Sequence, residues 1–328
     1  MTRFHRFAAA LLAFAASSAS FVALDASAQA YPNKQVRWVV GYPAGGGTDF
    51  LARTTGAQLS QSLGQPVVID NRPGAAAIIA SEHVARSPAD GYTIMSADNG
   101  VLVYNPALYK KLPYDAEKDF ALIGMMGRSS LVITASPNTG FTDAKALLAE
   151  LKRSPGKYSV ATPGLGSPHH LALELFQREA GVQVLHVPYK GGAPALQDLM
   201  GGQIPLMVLD LPSGVSAVKA GKAIPLIALQ GERMSQLPNV MTAKELGFPV
   251  VEAFAWQGVV VPAATPKDIQ ARLGADLMKT MNDPGVRQKL TDAGWDPKPA
   301  DAAEMTRYTE SERKKWHALI KARDIKLD

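Results

Sequence analysis

A β-branched apolar run, Val36 to Val40, stops at Pro43, passes three consecutive glycines and restarts at Thr48-Asp49. Phe50, Leu51, Thr55, Leu59 and Leu63 then follow at helical spacing. The pattern predicts a strand, a glycine loop and a helix with a capping-type residue at its start. Short apolar runs and amphipathic segments go on alternating along the chain, which predicts α/β architecture with mostly parallel sheets. The first helix is expected to end at Gly64. A second strand begins over residues 66–69, Asn71-Arg72-Pro73-Gly74 is a turn, residues 75–86 read as a helix and 92–97 as a strand.

A second cycle opens at residues 131–134. Thr142 is the expected cap of a helix carrying Leu147, Leu148 and Leu151 on one face. Residues 158–161 form the next strand and lead into a second glycine-bearing loop, 162–168. Ser167 as N-cap ahead of Pro168 is a strong helix start, and Gly181 is the matching end. Further strands are expected at 184–187, 204–209 and 224–229. Helix starts follow at Thr265-Pro266, Asp283-Pro284 and Asp301, the last helix running to about Lys321 with Met305, Tyr308 and Trp316 available for packing.

Two strand–glycine loop–helix units therefore stand in two halves of the chain. Glycines let a ligand approach the backbone, and the unpaired N–H groups of a helix start favour an anion. The first loop reads as an anion cradle. If the halves are domains, the loops are expected to face one another across a cleft.

The ends and the composition narrow the class. Arg3, His5 and Arg6 precede an apolar stretch at 8–22, and Ala28-Gln29-Ala30 has the small-x-small pattern of a cleavage site. Residues 1–30 thus read as a secretory signal peptide, with the mature chain starting at Tyr31. A membrane anchor fits less well, because Ser17, Ser18, Ser20 and Asp25 break a short run. The remainder has the length of two domains. With no cysteine in the chain, a thiol nucleophile, a cysteine-ligated metal and disulfides are excluded. The net charge of +5 is scattered. Its densest run, Arg313-Lys314-Lys315, reads as a solvated helix face rather than a nucleic-acid surface, while mild positive charge suits small anions.

No Gly-Lys-Ser/Thr follows the first loop, and Gly45, Gly46 and Gly47 are consecutive, so neither nucleotide fingerprint is met. His169-His170 point about 100° apart on a helix and suit capping or ligand contact better than metal. The nucleophile elbow Gly-x-Ser-x-Gly is absent around Ser167, which is better placed to donate to a carboxylate. Asp210 ends an apolar strand. General base, acceptor from an amine or hydroxyl, and cap of the following helix all remain open for it.

At this point the motifs resemble a family, the Bug-type extracytoplasmic solute receptors of tripartite tricarboxylate transporters. The resemblance covers essentially all of the mature length. It rests on Tyr31-Pro32-Asn33-Lys34, Tyr42-Pro43-Ala44-Gly45-Gly46-Gly47-Thr48-Asp49, Leu63-Gly64-Gln65-Pro66-Val67-Val68 and Asn71-Arg72-Pro73-Gly74. Ala89-Asp90-Gly91-Tyr92-Thr93, Asn105-Pro106-Ala107-Leu108-Tyr109 and Leu112-Pro113-Tyr114-Asp115 follow. Gly166-Ser167-Pro168-His169-His170-Leu171 and His186-Val187-Pro188-Tyr189-Lys190-Gly191 complete the set. Their shared order is the specific signal.

The resemblance implies a two-domain, hinged periplasmic binding protein with a mostly parallel sheet in each domain. Domain 1 would be 31–130 plus 252–328, and domain 2, inserted, 131–251. The ligand would be a small organic acid: a dicarboxylate, tricarboxylate, aromatic acid or amino acid. Carried over from the family, Tyr42, Ala44, Gly45, Gly46, Gly47, Thr48 and Asp49 supply the first-domain grip, with Ala97 and Asp98 beside it. Thr162, Gly166, Ser167 and His169 oppose them, Tyr189 lines the wall, and Asp210 joins the candidate set. The implied partners are the transporter's membrane subunits, with a periplasmic, monomeric, non-enzymatic protein and no cofactor or metal. Two departures stand out. Ala75-Ala76-Ala77-Ile78-Ile79 replaces a stretch usually containing glycines and an Asn, and Met207-Val208-Leu209-Asp210 moves the family's acid by one position. The rival readings are an enzyme acting on small acids through Ser167, His169 and Asp210, and a receptor serving as a signalling input.

Overall fold

In the computed structural model β1 (Val36–Val40) leads through the glycine loop into α1 (Gly47–Leu63), β2 (Val67–Asn71), α2 (Ile78–Ala85) and β3 (Thr93–Asp98). β1 pairs in parallel with both β2 and β3, so the three strands deliver the segments after residues 40, 71 and 98 to the same edge. The structure describes residues 31–327. The expected signal peptide and its cleavage site lie outside them. Contacts divide the chain at Asn33, and every element named here belongs to the part from Lys34 on. Among the described residues no helix is long and apolar enough to cross a membrane.

A wide helical turn and the short α3 (Asn105–Leu108) precede β4 (Phe120–Ala135), a strand of 16 residues. Next come α4 (Ala144–Arg153), β5 (Ser159–Thr162), α5 (Pro168–Ala180), β6 (Leu185–Pro188), α6 (Gly192–Met200) and β7 (Leu206–Asp210). Here too the central strand, β5, is parallel to its neighbours β6 and β7. α7 (Leu211–Lys219), β8 (Ile224–Ala228) and β9 (Met241–Thr242) lead to β10 (Phe254–Pro262). α8 (Lys267–Met281), α9 (Pro284–Asp292), β11 (Asp296–Asp301) and α10 (Ala302–Ala322) close the chain.

β4 joins the two parallel groups. Its first part, Phe120 to Ser130, runs antiparallel to β10, which itself runs antiparallel to β3. Its second part, Leu131 to Ala135, runs antiparallel to β7. The sheets are therefore mixed where the sequence pattern predicted them mostly parallel, and the strand expected from Leu131 begins eleven residues earlier. The reason is a long-range contact. Gly124 and Gly127 weaken the apolar strand pattern, and in the structure they mark the approach of β11: a Cβ at Gly127 would meet the Asp296 carbonyl oxygen at 2.7 Å.

α10 packs back on the first group. Trp316 and Tyr104 are fully buried edge-to-face at 5.3 Å, with the indole N–H donating to Glu312 at 2.8 Å. The basic run on this helix is not wholly solvated, since Arg313 Nε donates to the Leu102 carbonyl at 2.9 Å and Nη1 pairs with Glu117.

Some helix starts differ from the sequence expectation by a residue or more. Asp143, not Thr142, caps α4 through Ala146 N–H at 2.7 Å. The helix expected from Ala75 starts at Ile78, because Ala75, Ala76 and Ala77 take φ of 46°, 50° and 65°. The left-handed region strains an L side chain by about 1–2 kcal/mol per residue. Glycine relieves it while loosening the unfolded chain by about 0.4–1 kcal/mol. Ala76→Gly is therefore expected to leave stability unchanged or raise it by up to about 1 kcal/mol, where an alanine-to-glycine change in ordinary backbone destabilises. Urea unfolding checks this, and a loss above about 1 kcal/mol contradicts it.

Candidate functional site

The first glycine loop is braced from below by Asp49. This carboxylate is buried, with Oδ2 accepting from Gly45 N–H and Arg53 Nε, both at 2.9 Å, and Oδ1 accepting from Asn71 Nδ2 at 2.9 Å. Burial raises its pKa, but Arg53, Gly45 N–H and Asn71 together hold it below the usual carboxylate value. Asp49, expected to grip a ligand, spends both oxygens inside the protein. No side chain caps α1, whose N-cap is Gly46 rather than Thr48 or Asp49. Its first N–H groups thus have no partner within the helix and face outward with the exposed Ala44, Gly45 and Gly46.

Behind the loop, Tyr42 donates its hydroxyl to Asp98 Oδ2 in a short contact, and Val101 N–H donates to Oδ1 at 2.9 Å. Burial pushes the Asp98 carboxyl up, against the pull of these two donors. Tyr42 rises well above the usual phenol value through burial and the neighbouring Asp98. Ala97 is buried in β3 opposite Gly258.

The second loop is built on histidines. Ser167 Oγ donates to the Gly164 carbonyl at 2.7 Å and accepts from His170 N–H at 3.2 Å, so it caps α5 as its sequence predicts. Ser167→Ala is expected to destabilise the protein by about 1 kcal/mol, the usual loss for an N-cap, read from its denaturation midpoint. Gly166, at φ 69°, donates its N–H to His170 Nδ1 at 3.2 Å. His170 lies flat on His186 at 4.2 Å and 9°, and His186 Nε2 meets Thr162 Oγ1 at 2.6 Å. A Cβ on Gly166 would stand 2.7 Å from Leu327 and 2.9 Å from Leu108, which seats this loop against the first group of elements.

The two loops meet at Asp210. It caps α7, with Oδ2 accepting from Ser213 N–H at 3.0 Å and Ser213 Oγ at 2.7 Å, and Oδ1 facing His169 Nε2 at 3.0 Å. Burial pushes this carboxyl up, yet His169 and Ser213 outweigh it and hold the pKa below the usual value. A Cβ on Gly47, at the start of α1, would lie 3.2 Å from Pro212 Cβ and 3.6 Å from Asp210 Oδ2. A Cβ on Gly192, at the start of α6, would lie 3.8 Å from Ser213 Oγ and about 4.0 Å from Pro163. Among the described residues, the N-termini of α1, α5, α6 and α7 thus converge on Asp210 and Ser213. Four positive helix ends around one point is an arrangement that holds anions.

Tyr189 is not drawn into this meeting point by its hydroxyl, which donates to Asp198 Oδ2 at 2.8 Å. Nor do Ser167, His169 and Asp210 form a proton relay. The serine hydroxyl is spent on Gly164, and His169 Nδ1 is buried with no hydrogen-bond partner. The sequence reading missed Gln257 of β10, whose Nε2 donates to Thr48 Oγ1 at 3.2 Å. A lone polar residue in the apolar run 254–262 was the available signal.

The family model of the tripartite tricarboxylate transporter family receptor matches residues 51–325. The chain belongs to that family. It is similar to the periplasmic binding protein BugD, with 30% identity, 90% of this chain and 99% of that one covered, and a TM-score of 0.83. It is similar to Rpa4515 of R. palustris, solved with adipate, with 33% identity, coverage of 89% and 97%, and a TM-score of 0.84. It is also similar to MatC from Rhodopseudomonas palustris, solved with bound malate, with 29% identity, coverage of 88% and 100%, and a TM-score of 0.79. Receptors of this family are periplasmic solute-binding proteins, and the fold is that of a periplasmic binding protein.

Proposed function

We propose that this receptor captures a small organic carboxylate between residues 31–130 plus 252–328 on one side and 131–251 on the other, and delivers it to the membrane subunits of a tripartite tricarboxylate transporter. The two sides act as domains hinged where β4 passes from one parallel group to the other and where the chain enters β10. The convergence of four helix N-termini on Asp210 and Ser213 carries this reading. Donors at Ala44, Gly46, Gly47 and Thr48 approach the carboxylate from the first side, while the Gly45 N–H is held by Asp49. Thr162, Gly166, Ser167 and His169 shape the opposing loop. A ligand that needs donors from both sides binds the closed form and shifts the population toward it. The adipate and malate bound by two relatives support a small acid as the ligand.

Binding is tested by thermal shift on the protein after unfolding and refolding, which removes any acid carried over from the host. A panel of dicarboxylates, tricarboxylates, aromatic acids and amino acids is the probe. At a hundredfold excess over its dissociation constant, a bound acid adds about 2.7 kcal/mol of stability. A rise with one acid class is expected, and no rise with any acid overturns the reading.

A further inference from the structure

β10 is apolar except at Gln257, which is 4% exposed. A carboxamide in that position keeps its two hydrogen-bonding ends only if each finds a partner. One end does: Nε2 donates to Thr48 Oγ1 at 3.2 Å. The other does not, because Oε1 is buried with no partner. Gln257 stands directly opposite Asp98 across the β3–β10 ladder, so both side chains project from one face of the sheet. Asp98 offers no donor to fill the gap, since both its oxygens accept, from Tyr42 and from Val101 N–H. Beside Gln257 the β4–β10 register slips, Gln257 facing Gly127 while Gly258 faces Met125, with Met126 the extra residue. Bulges of this kind re-aim neighbouring side chains and recur beside binding sites.

The consequence is a matched pair of functions at the start of α1. Thr48 Oγ accepts from Gln257, so its own hydrogen is free to donate, which suits a carboxylate. Gln257 Oε1 asks for the opposite, a donor, and a plain carboxylate has none to give. A hydroxyl supplies that donor without a charge, whereas an ammonium would meet both the positive ends of α1, α5, α6 and α7 and the carboxylate of Asp210.

We propose that Gln257 is a specificity-determining residue, whose Oε1 accepts from a hydroxyl next to the ligand's carboxylate and so favours 2-hydroxy acids over the same acids without the hydroxyl. The inference rests on the carboxylate-receptor reading above.

Calorimetric titration of the full mature protein with acid pairs differing by one hydroxyl tests it: succinate and malate, glutarate and 2-hydroxyglutarate, 3-phenylpropionate and 3-phenyllactate. In any pair that binds, the hydroxylated member is expected to bind at least tenfold more tightly. Gln257→Met, close in size and without the amide, should bring that ratio below threefold. Thr48→Ala should weaken both members alike and leave the ratio standing, which a purely structural role for Gln257 does not predict. Equal affinities within a pair for the unaltered protein overturn the inference without needing any variant to fold. A tenfold ratio that survives in folded Gln257→Met overturns it too, as does tighter binding of aspartate than of malate. Binding of none of these acids, nor of any in the wider panel, brings down the receptor reading itself, and the inference with it.

Discussion

Replacing Gly47 by leucine is expected to lower acid affinity by at least about a hundredfold, roughly 2.8 kcal/mol, with the fold intact. Gly47 is the first residue of α1, and the Cβ of any larger residue there would already lie 3.2 Å from Pro212 Cβ and 3.8 Å from Ser213 Oγ. The three further carbons of leucine have only the gap between α1 and α7 to occupy. They hold apart the two surfaces that must meet for one carboxylate to be gripped from both sides. The helix itself gains, since leucine is a better helix former than glycine by roughly 0.8 kcal/mol. Calorimetric titration measures the affinity, and small-angle scattering with and without acid measures closure. Affinity within threefold of the unaltered protein would show that binding does not need α1 and α7 to meet.

The parts of this site visible in the sequence were those that local chemistry dictates. Ser167-Pro168 announces a capped helix because a hydroxyl N-cap and a proline at the first helical position are locally determined, and the structure puts both there. Asp210 could be read as a cap for the same reason. Long-range pairing was not legible. Gly124 and Gly127 look like breaks in a strand until β11 is placed against them. Asp49 reads as part of the grip on a ligand, while in the structure its oxygens accept from Gly45, Arg53 and Asn71. Ala75, Ala76 and Ala77 look helical because alanine is the best helix former, while the turn after β2 demands the left-handed region that a glycine-rich relative would take without strain. Gln257 was silent because its meaning depends on Thr48, about 200 residues away in sequence.

Acid should loosen the second loop through His170. Burial pushes this imidazole down to about 4. Burial, then the neighbouring His170, brings His186 to about 4 as well, against the opposing pull of Glu174. In the unfolded chain both rings take up protons near pH 6.5, whereas the folded protein resists until about pH 4. Between those values the unfolded state binds more protons, so stability falls as pH falls: it is full above about 6.5 and spent near 4. At 1.36 kcal/mol per unit, His170 alone accounts for about 3 kcal/mol. His170→Asn isolates that share, because the asparagine oxygen stands near the place of Nδ1, can still accept from Gly166 N–H, and does not titrate. The variant loses the stack on His186 and is expected to be less stable at pH 7, and its urea midpoint should change less between pH 7 and 4.5 by the His170 share, His186 keeping its own. Equal pH dependence in the two proteins would sink the assignment.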